Sequence, residues 1–107
     1  MGLPTACLLA DVGAKVTGLD TNRSVVEAVN KGLSPFSEPG LPQLLKRLVR
    51  EGRLKATLST EDSIRESGVV FIILPTLIDR QRKPDYTSVE NASKEIGKSL
   101  QEGALII

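Results

Sequence analysis

The 107-residue sequence contains no histidine and no tryptophan, and only one cysteine, one tyrosine and two phenylalanines. Without histidine there is no imidazole general base, no Ser-His pair and no histidine ligand for a metal. The lone Cys7 excludes an intrachain disulfide and a cysteine-rich zinc site. Charge of one sign is lacking too: 14 Lys and Arg stand against 13 Asp and Glu, a net charge of +1. That balance offers no bulk attraction to nucleic acid or to an anionic membrane surface. No apolar run approaches the ~18 residues of a membrane helix. Gly2, Leu3, Pro4 and Thr5 after Met1 do not make the basic start of a signal peptide. With no disulfide framework, a reducing, cytoplasmic setting is expected.

What remains has the composition of an ordinary globular chain, 40% hydrophobic and 25% charged. The length suits one domain with one modest core. Residues 4–10 are helix-permissive, with Pro4 in the first turn where its missing N–H does no harm. Ala6, Leu9 and Ala10 are expected on the buried side, and the helix is expected to stop near Gly13. Residues 15–20 are β-branched and close on Asp20, a strand pattern. Residues 21–31 carry Val25, Val26 and Val29 at helical spacing, with Gly32 as the C-cap.

A proline-rich loop over 34–42 leads into the strongest helical signal in the chain. Leu41, Leu44, Leu45, Leu48 and Val49 repeat at i, i+3, i+4, i+7 and i+8. Lys46, Arg47, Arg50, Arg53 and Lys55 form a basic cluster, read as a solvated face because stacking aromatics are almost absent. A short strand over 54–58 and a brief helix around Ile64 follow. Residues 69–74 (VVFIIL) are an unbroken apolar run, expected as a strand buried on both faces. Residues 77–86 read as a polar loop, residues 87–100 as a helix with Val89, Ala92, Ile96 and Leu100 on one stripe, and residues 104–107 as a strand. The carboxylate pairs Glu61/Asp62 and Asp85/Glu90 fit helix capping better than acid–base chemistry. Strict alternation of strands and helices predicts an α/β fold, a Rossmann-like doubly wound parallel sheet with helices on both faces.

Gly2 stands at the entrance of the first helix and Asp20 at the end of the next strand. In dinucleotide-binding folds a glycine turn opens the first helix, and an acid ~20 residues later binds the adenosine ribose. By spacing alone this pairing also arises without any cofactor, so both readings stand at this point.

Several motifs in order carry a family resemblance: Gly2-Leu3-Pro4-Thr5-Ala6, Val16-Thr17-Gly18-Leu19-Asp20, Ser37-Glu38-Pro39-Gly40-Leu41, Ile72-Ile73-Leu74-Pro75-Thr76 and Pro84-Asp85-Tyr86. Across essentially all 107 residues the chain resembles the N-terminal NAD-binding domain of the UDP-glucose/GDP-mannose dehydrogenase family, most closely its UDP-N-acetylmannosamine dehydrogenase-like members. The resemblance implies NAD as cofactor, bound by Met1, Gly2, Asp20, Arg23 and Thr76, with Asp20 favouring NAD over NADP by repelling a 2′-phosphate. Set against the family's opening strand and glycine turn, Met1 falls just before the third glycine. The sheet is therefore expected to lack its first strand, and the chain to be part of a longer protein.

The parent activity implied is oxidation of a UDP-sugar C6 alcohol to a carboxylate, in polysaccharide biosynthesis. The family's catalytic Cys and Lys lie in later domains; Cys7 does not match that nucleophile, and no catalytic or metal-binding residue is assigned here. Alone, residues 1–107 are expected to be inactive and to bind NAD weakly. Where the family continues Pro-Thr-Pro, Leu77 follows Thr76 here. A UDP-sugar partner belongs to the full-length protein only; no nucleic acid or membrane partner is expected. A homodimer is expected, with or without exchange of strands or other elements across a sheet left open at two edges. The competing reading is a non-catalytic α/β module that oligomerises and binds no nucleotide.

Overall fold

Each regular element begins and ends where local chemistry dictates. The computed structural model describes residues 2–35, 38–73, 77–78, 84–85 and 87–107. The chain divides into two compact units, residues 1–58 and residues 59–107.

The first unit holds helix α1 (Leu3–Asp11), strand β1 (Val16–Leu19), helix α2 (Arg23–Asn30), helix α3 (Leu41–Arg50) and strand β2 (Leu54–Thr57). Helix α1 opens at Gly2 with proline in its first turn. It closes in a Schellman arrangement, with Ala14 N–H bonded to Leu9 C=O and Gly13 N–H to Ala10 C=O, both at 3.1 Å. Gly13 supplies the positive φ, +110°, that this ending requires. Helix α2 starts at Asn22, whose side chain accepts from Ser24 N–H. It ends at Gly32, where φ is +76° and an added Cβ would stand 3.3 Å from Lys46 Cα. That glycine is what lets the end of α2 approach α3.

Strands β1 and β2 pair in parallel, with Val16 opposite Leu54 and Gly18 opposite Ala56. A parallel pair needs a crossover connection, which the helices between the two strands supply. Beneath the pair lies one apolar cluster: Leu3, Cys7 and Ala10 from α1, Val26 and Val29 from α2, Leu41, Leu45 and Leu48 from α3, Leu54 and Ala56 from β2. The Leu-rich stripe of α3 and the valines of α2 thus pack as their spacing predicts. On α1 the buried stripe differs from expectation: it is Leu3, Cys7 and Ala10, with Ala6 only partly buried. Positions i, i+4 and i+7 span the whole helix, so Leu3 and Cys7 bring more apolar volume to the core than a stripe centred on Ala6 and Leu9.

The second unit holds helix α4 (Thr60–Glu66), strands β3 (Val69–Val70), β4 (Leu77–Ile78) and β5 (Pro84–Asp85), helix α5 (Thr87–Ser99) and strand β6 (Leu105–Ile106). Helices α4 and α5 pack on one another, and Ile64 and Ile96 are buried. Strand β3 pairs in parallel with β6. Leu105 N–H donates to Gly68 C=O at 2.9 Å and Ile72 N–H to Ile107 C=O at 3.0 Å, so the backbone ladder outlasts the two-residue strands.

Two expectations are corrected in this unit. The apolar run at 69–74 is not buried on both faces: Val70 is buried, but Val69, Phe71 and Ile73 keep 44–50% of their surface exposed. Alternation along a strand puts these three on one side, and Leu105 on β6 with Ile107 just beyond it extends the same face, also exposed. An apolar run fixes the tendency to form strand, whereas burial of each face depends on what packs there. The segment read as a polar loop contains β4 and β5, which pair antiparallel with Leu77 opposite Asp85 and Ile78 opposite Pro84.

Candidate dinucleotide site

Asp20 follows the last residue of β1, and its own N–H reaches Thr57 C=O at 3.4 Å, prolonging the β1–β2 ladder. Its carboxylate Oδ1 accepts from Asn22 N–H at 2.9 Å. Asn22 Oδ1 in turn accepts from Ser24 N–H at 2.9 Å. Two successive side-chain-to-backbone turns therefore hand the strand over to α2 and orient the carboxylate at the strand end. Arg23, the first residue of α2, is exposed beside this turn.

Gly2 is the N-cap of α1, and the first turn of that helix has no side-chain cap. The first N–H groups of a helix find no acceptor within it and favour negative charge. Helix α1 joins β1 through residues 12–15 only and packs against it. It therefore runs back along the strand. Nine helical residues and four strand residues each span about 13 Å, so the start of α1 and the end of β1 share one edge of the sheet. This is the edge where open parallel sheets bind ligands. Gly2 and Asp20 are thus brought to the same side, with Arg23 next to Asp20; Met1 and Thr76 lie outside the described residues.

These groups suit a dinucleotide: an anion-tolerant helix start for the pyrophosphate and a carboxylate acceptor for ribose hydroxyls. Cys7 offers no second chemistry. It is fully buried in the core, and burial raises its thiol pKa above the ordinary 9.0, which leaves it a protonated, unreactive packing group. Of the basic cluster, Arg47 pairs with Asp11 on α1 and Arg53 with Glu51 at 3.4 Å. Glu61, in the first turn of α4, accepts from Arg65 at 2.6 Å. These are surface charge pairs rather than a site. Two shallow hollows lie elsewhere, one of about 490 Å³ bordered by Thr60 and Lys98, the other of about 380 Å³ bordered by Leu33, Pro42 and Lys46.

Sequence spacing did not disclose Asn30, which occupies the far end of α2. Its Nδ2 donates to Ala56 C=O and its Oδ1 accepts from Ala56 N–H, both at 2.8 Å. An asparagine two residues before a glycine reads only as a helix end; its strand partner is apparent only in three dimensions.

A parallel strand pair in an α/β chain, with an acid where a strand hands over to a helix, is the arrangement found in the dinucleotide-binding class. More narrowly, this chain belongs to the UDP-glucose/GDP-mannose dehydrogenase family: the model of that family's NAD binding domain matches residues 1–107. It is 39% identical over 108 residues to the UDP-N-acetyl-D-mannosamine dehydrogenase of Campylobacter jejuni, covering 100% of this chain and 26% of that protein. The corresponding Escherichia coli K12 enzyme is 35% identical, again over all of this chain and 24% of its own length. Among solved structures, GDP-mannose dehydrogenase from Pseudomonas aeruginosa superposes with a TM-score of 0.90 at 32% identity, over 94% of this chain and 23% of that one. UDP-D-ManNAc dehydrogenase from Pyrococcus horikoshii gives 0.91 at 32% identity, over 98% and 25%. The chain thus spans about a quarter of the length of the relatives it matches. Its cofactor class is NAD, and its fold is the Rossmann type of those dehydrogenases.

Proposed function

We propose that residues 1–107 form part of a single NAD(P)-binding domain that serves a nucleotide-sugar 6-dehydrogenase, acting on UDP-glucose or UDP-N-acetylmannosamine and converting the C6 alcohol to a carboxylate. The observation that carries this reading is Asp20, held at the end of β1 by the Asn22 turn. In it, Asp20 accepts the adenosine ribose hydroxyls and disfavours a 2′-phosphate. Gly2 and the opening of α1 lie against the pyrophosphate, and the family resemblance assigns Met1 to it too. Arg23 flanks the adenosine, and the family resemblance assigns Thr76 to the cofactor as well. NAD, when bound, supplies the hydride acceptor; the residues of this chain bind and orient it. None of them is assigned to the covalent chemistry, since Cys7 is buried.

The test is a titration of the protein with NAD and NADP, followed by NMR shifts. NAD binding tighter than NADP, with the preference reduced in Asp20→Ala, is the expected result. Equal affinities, or a preference untouched by the substitution, would overturn the assignment.

A homodimer belongs to the same proposal, with or without exchanged strands or other elements. It is supported by the exposed apolar face of Val69, Phe71, Ile73, Leu105 and Ile107. Light scattering after size exclusion reads it directly, and a clean monomer at high concentration ends it. Among the described residues no helix is long and apolar enough to cross a membrane. A cytoplasmic location is proposed, supported by the single, buried, unpaired Cys7.

A further inference from the structure

We propose that Asn30 is a positioning residue for Asp20, acting from the opposite end of α2; this rests on the reading of Asp20 as the ribose-binding acid. Five hydrogen bonds close a ring. Asp20 N–H reaches Thr57 C=O on β2. Asp20 Oδ1 holds Asn22 N–H, and Asn22 Oδ1 holds Ser24 N–H in the first turn of α2. About 10 Å further along the helix, Asn30 grips both backbone groups of Ala56 at 2.8 Å. Ala56 adjoins Thr57, so the ring returns to the strand that receives Asp20.

The helix is therefore tied to the β1–β2 pair at each end, by Asp20 at its start and by Asn30 at its finish, with Val26 and Val29 packed between. Two end ties fix the position of a helix along its axis and its rotation about it; the apolar contacts between them are non-directional and fix neither as firmly. Releasing the Asn30 tie lets α2 slide and turn. The Asn22 turn is then free to carry the Asp20 carboxylate with it, away from the position in which it meets two ribose hydroxyls. Asn30 itself stands at the other end of α2 and touches no cofactor group, so its effect on binding has to pass through the helix.

A double-mutant cycle separates this role from ordinary stabilisation. NAD affinity is measured by NMR titration for the unsubstituted protein, Asn30→Ala, Asp20→Ala and the double variant, at a temperature where each is folded. Asn30→Ala is expected to weaken NAD binding about tenfold, the worth of a hydrogen bond to a charged group, and to have little further effect once Asp20 is gone. The same loss in both backgrounds overturns the proposal and leaves Asn30 a stabilising residue only. If Asp20→Ala alone leaves NAD affinity intact, the ribose assignment fails and this inference with it, a pattern distinct from the previous one. Amide hydrogen exchange supplies a readout without cofactor: Asn30→Ala should speed exchange at Asn22 and Ser24 while Val29 stays protected. Exchange unchanged at Asn22 counts against the proposal. Should Asn30→Ala fail to fold, Asn30→Asp, which keeps the acceptor for Ala56 N–H and loses the donor, is carried through the same cycle.

Discussion

The side chain of Asn30 stands in for a neighbouring β-strand along Ala56. Val16 N–H bonds to Arg53 C=O and Asp20 N–H to Thr57 C=O, so the odd-numbered residues of β2 face β1. Leu54 and Ala56 turn their backbone groups to the other edge, and there the Asn30 amide satisfies both groups of Ala56 at 2.8 Å. The edge is blunted at that residue by a helix rather than left as a template for pairing.

Asn30→Ala should consequently destabilise the first unit. It removes two hydrogen bonds and leaves a peptide group at a partly buried position without its partner, a cost of about 1–3 kcal/mol. Urea unfolding followed by circular dichroism reads the change. A loss below the resolution of that experiment would mean that water replaces the amide without penalty.

Leu45, fully buried among three helices and β2, should be among the most sensitive positions. Leu45→Ala deletes apolar volume from a packed core, at a cost of about 2–5 kcal/mol. Leu8 lies on the outer side of α1 with 64% of its surface exposed. Leu8→Ala is expected to change stability by no more than about 0.5 kcal/mol. Comparable unfolding midpoints for the two variants would contradict the burial described here.

Gly32→Ala combines two penalties. An L-residue at φ +76° costs about 1–2 kcal/mol, and the new Cβ would stand 3.3 Å from Lys46 Cα, a backbone atom that moves only with α3. At Gly13, φ is +110° but nothing lies within 4 Å of the added Cβ, so Gly13→Ala carries backbone strain alone. Thermal unfolding of the pair should show whether the approach of α2 to α3 adds to the loss at Gly32.

Burial raises the Cys7 thiol pKa, so the folded state holds this proton more tightly than the unfolded chain does. The resulting stabilisation is complete below the ordinary thiol pKa and is lost as pH rises through the raised folded value. The stability difference between the unsubstituted protein and Cys7→Ala should therefore shrink under alkaline conditions. The thiol should also react with a disulfide reagent only at the rate of unfolding. Rapid labelling of the native protein at neutral pH would show that the side chain is accessible.

Local chemistry written along the chain determined most of the elements. The apolar period of α3, the prolines in the first turns of α1 and α3, and the glycines that end α1, α2 and α3 act within a few residues of one another, and they are legible without a fold. Asp20 was legible for the same reason: an acid closing a β-branched run signals a strand end wherever the strand lies. Tertiary structure decided the features that join distant parts of the chain. It chose Leu3, Cys7 and Ala10 as the buried stripe of α1, left one face of Val69, Phe71 and Ile73 exposed, and set Asn30 against a residue 26 positions away. Hydrophobicity and propensity are properties of a residue and its neighbours in sequence, whereas burial and hydrogen-bond partnership are properties of pairs, and only folding brings such pairs together.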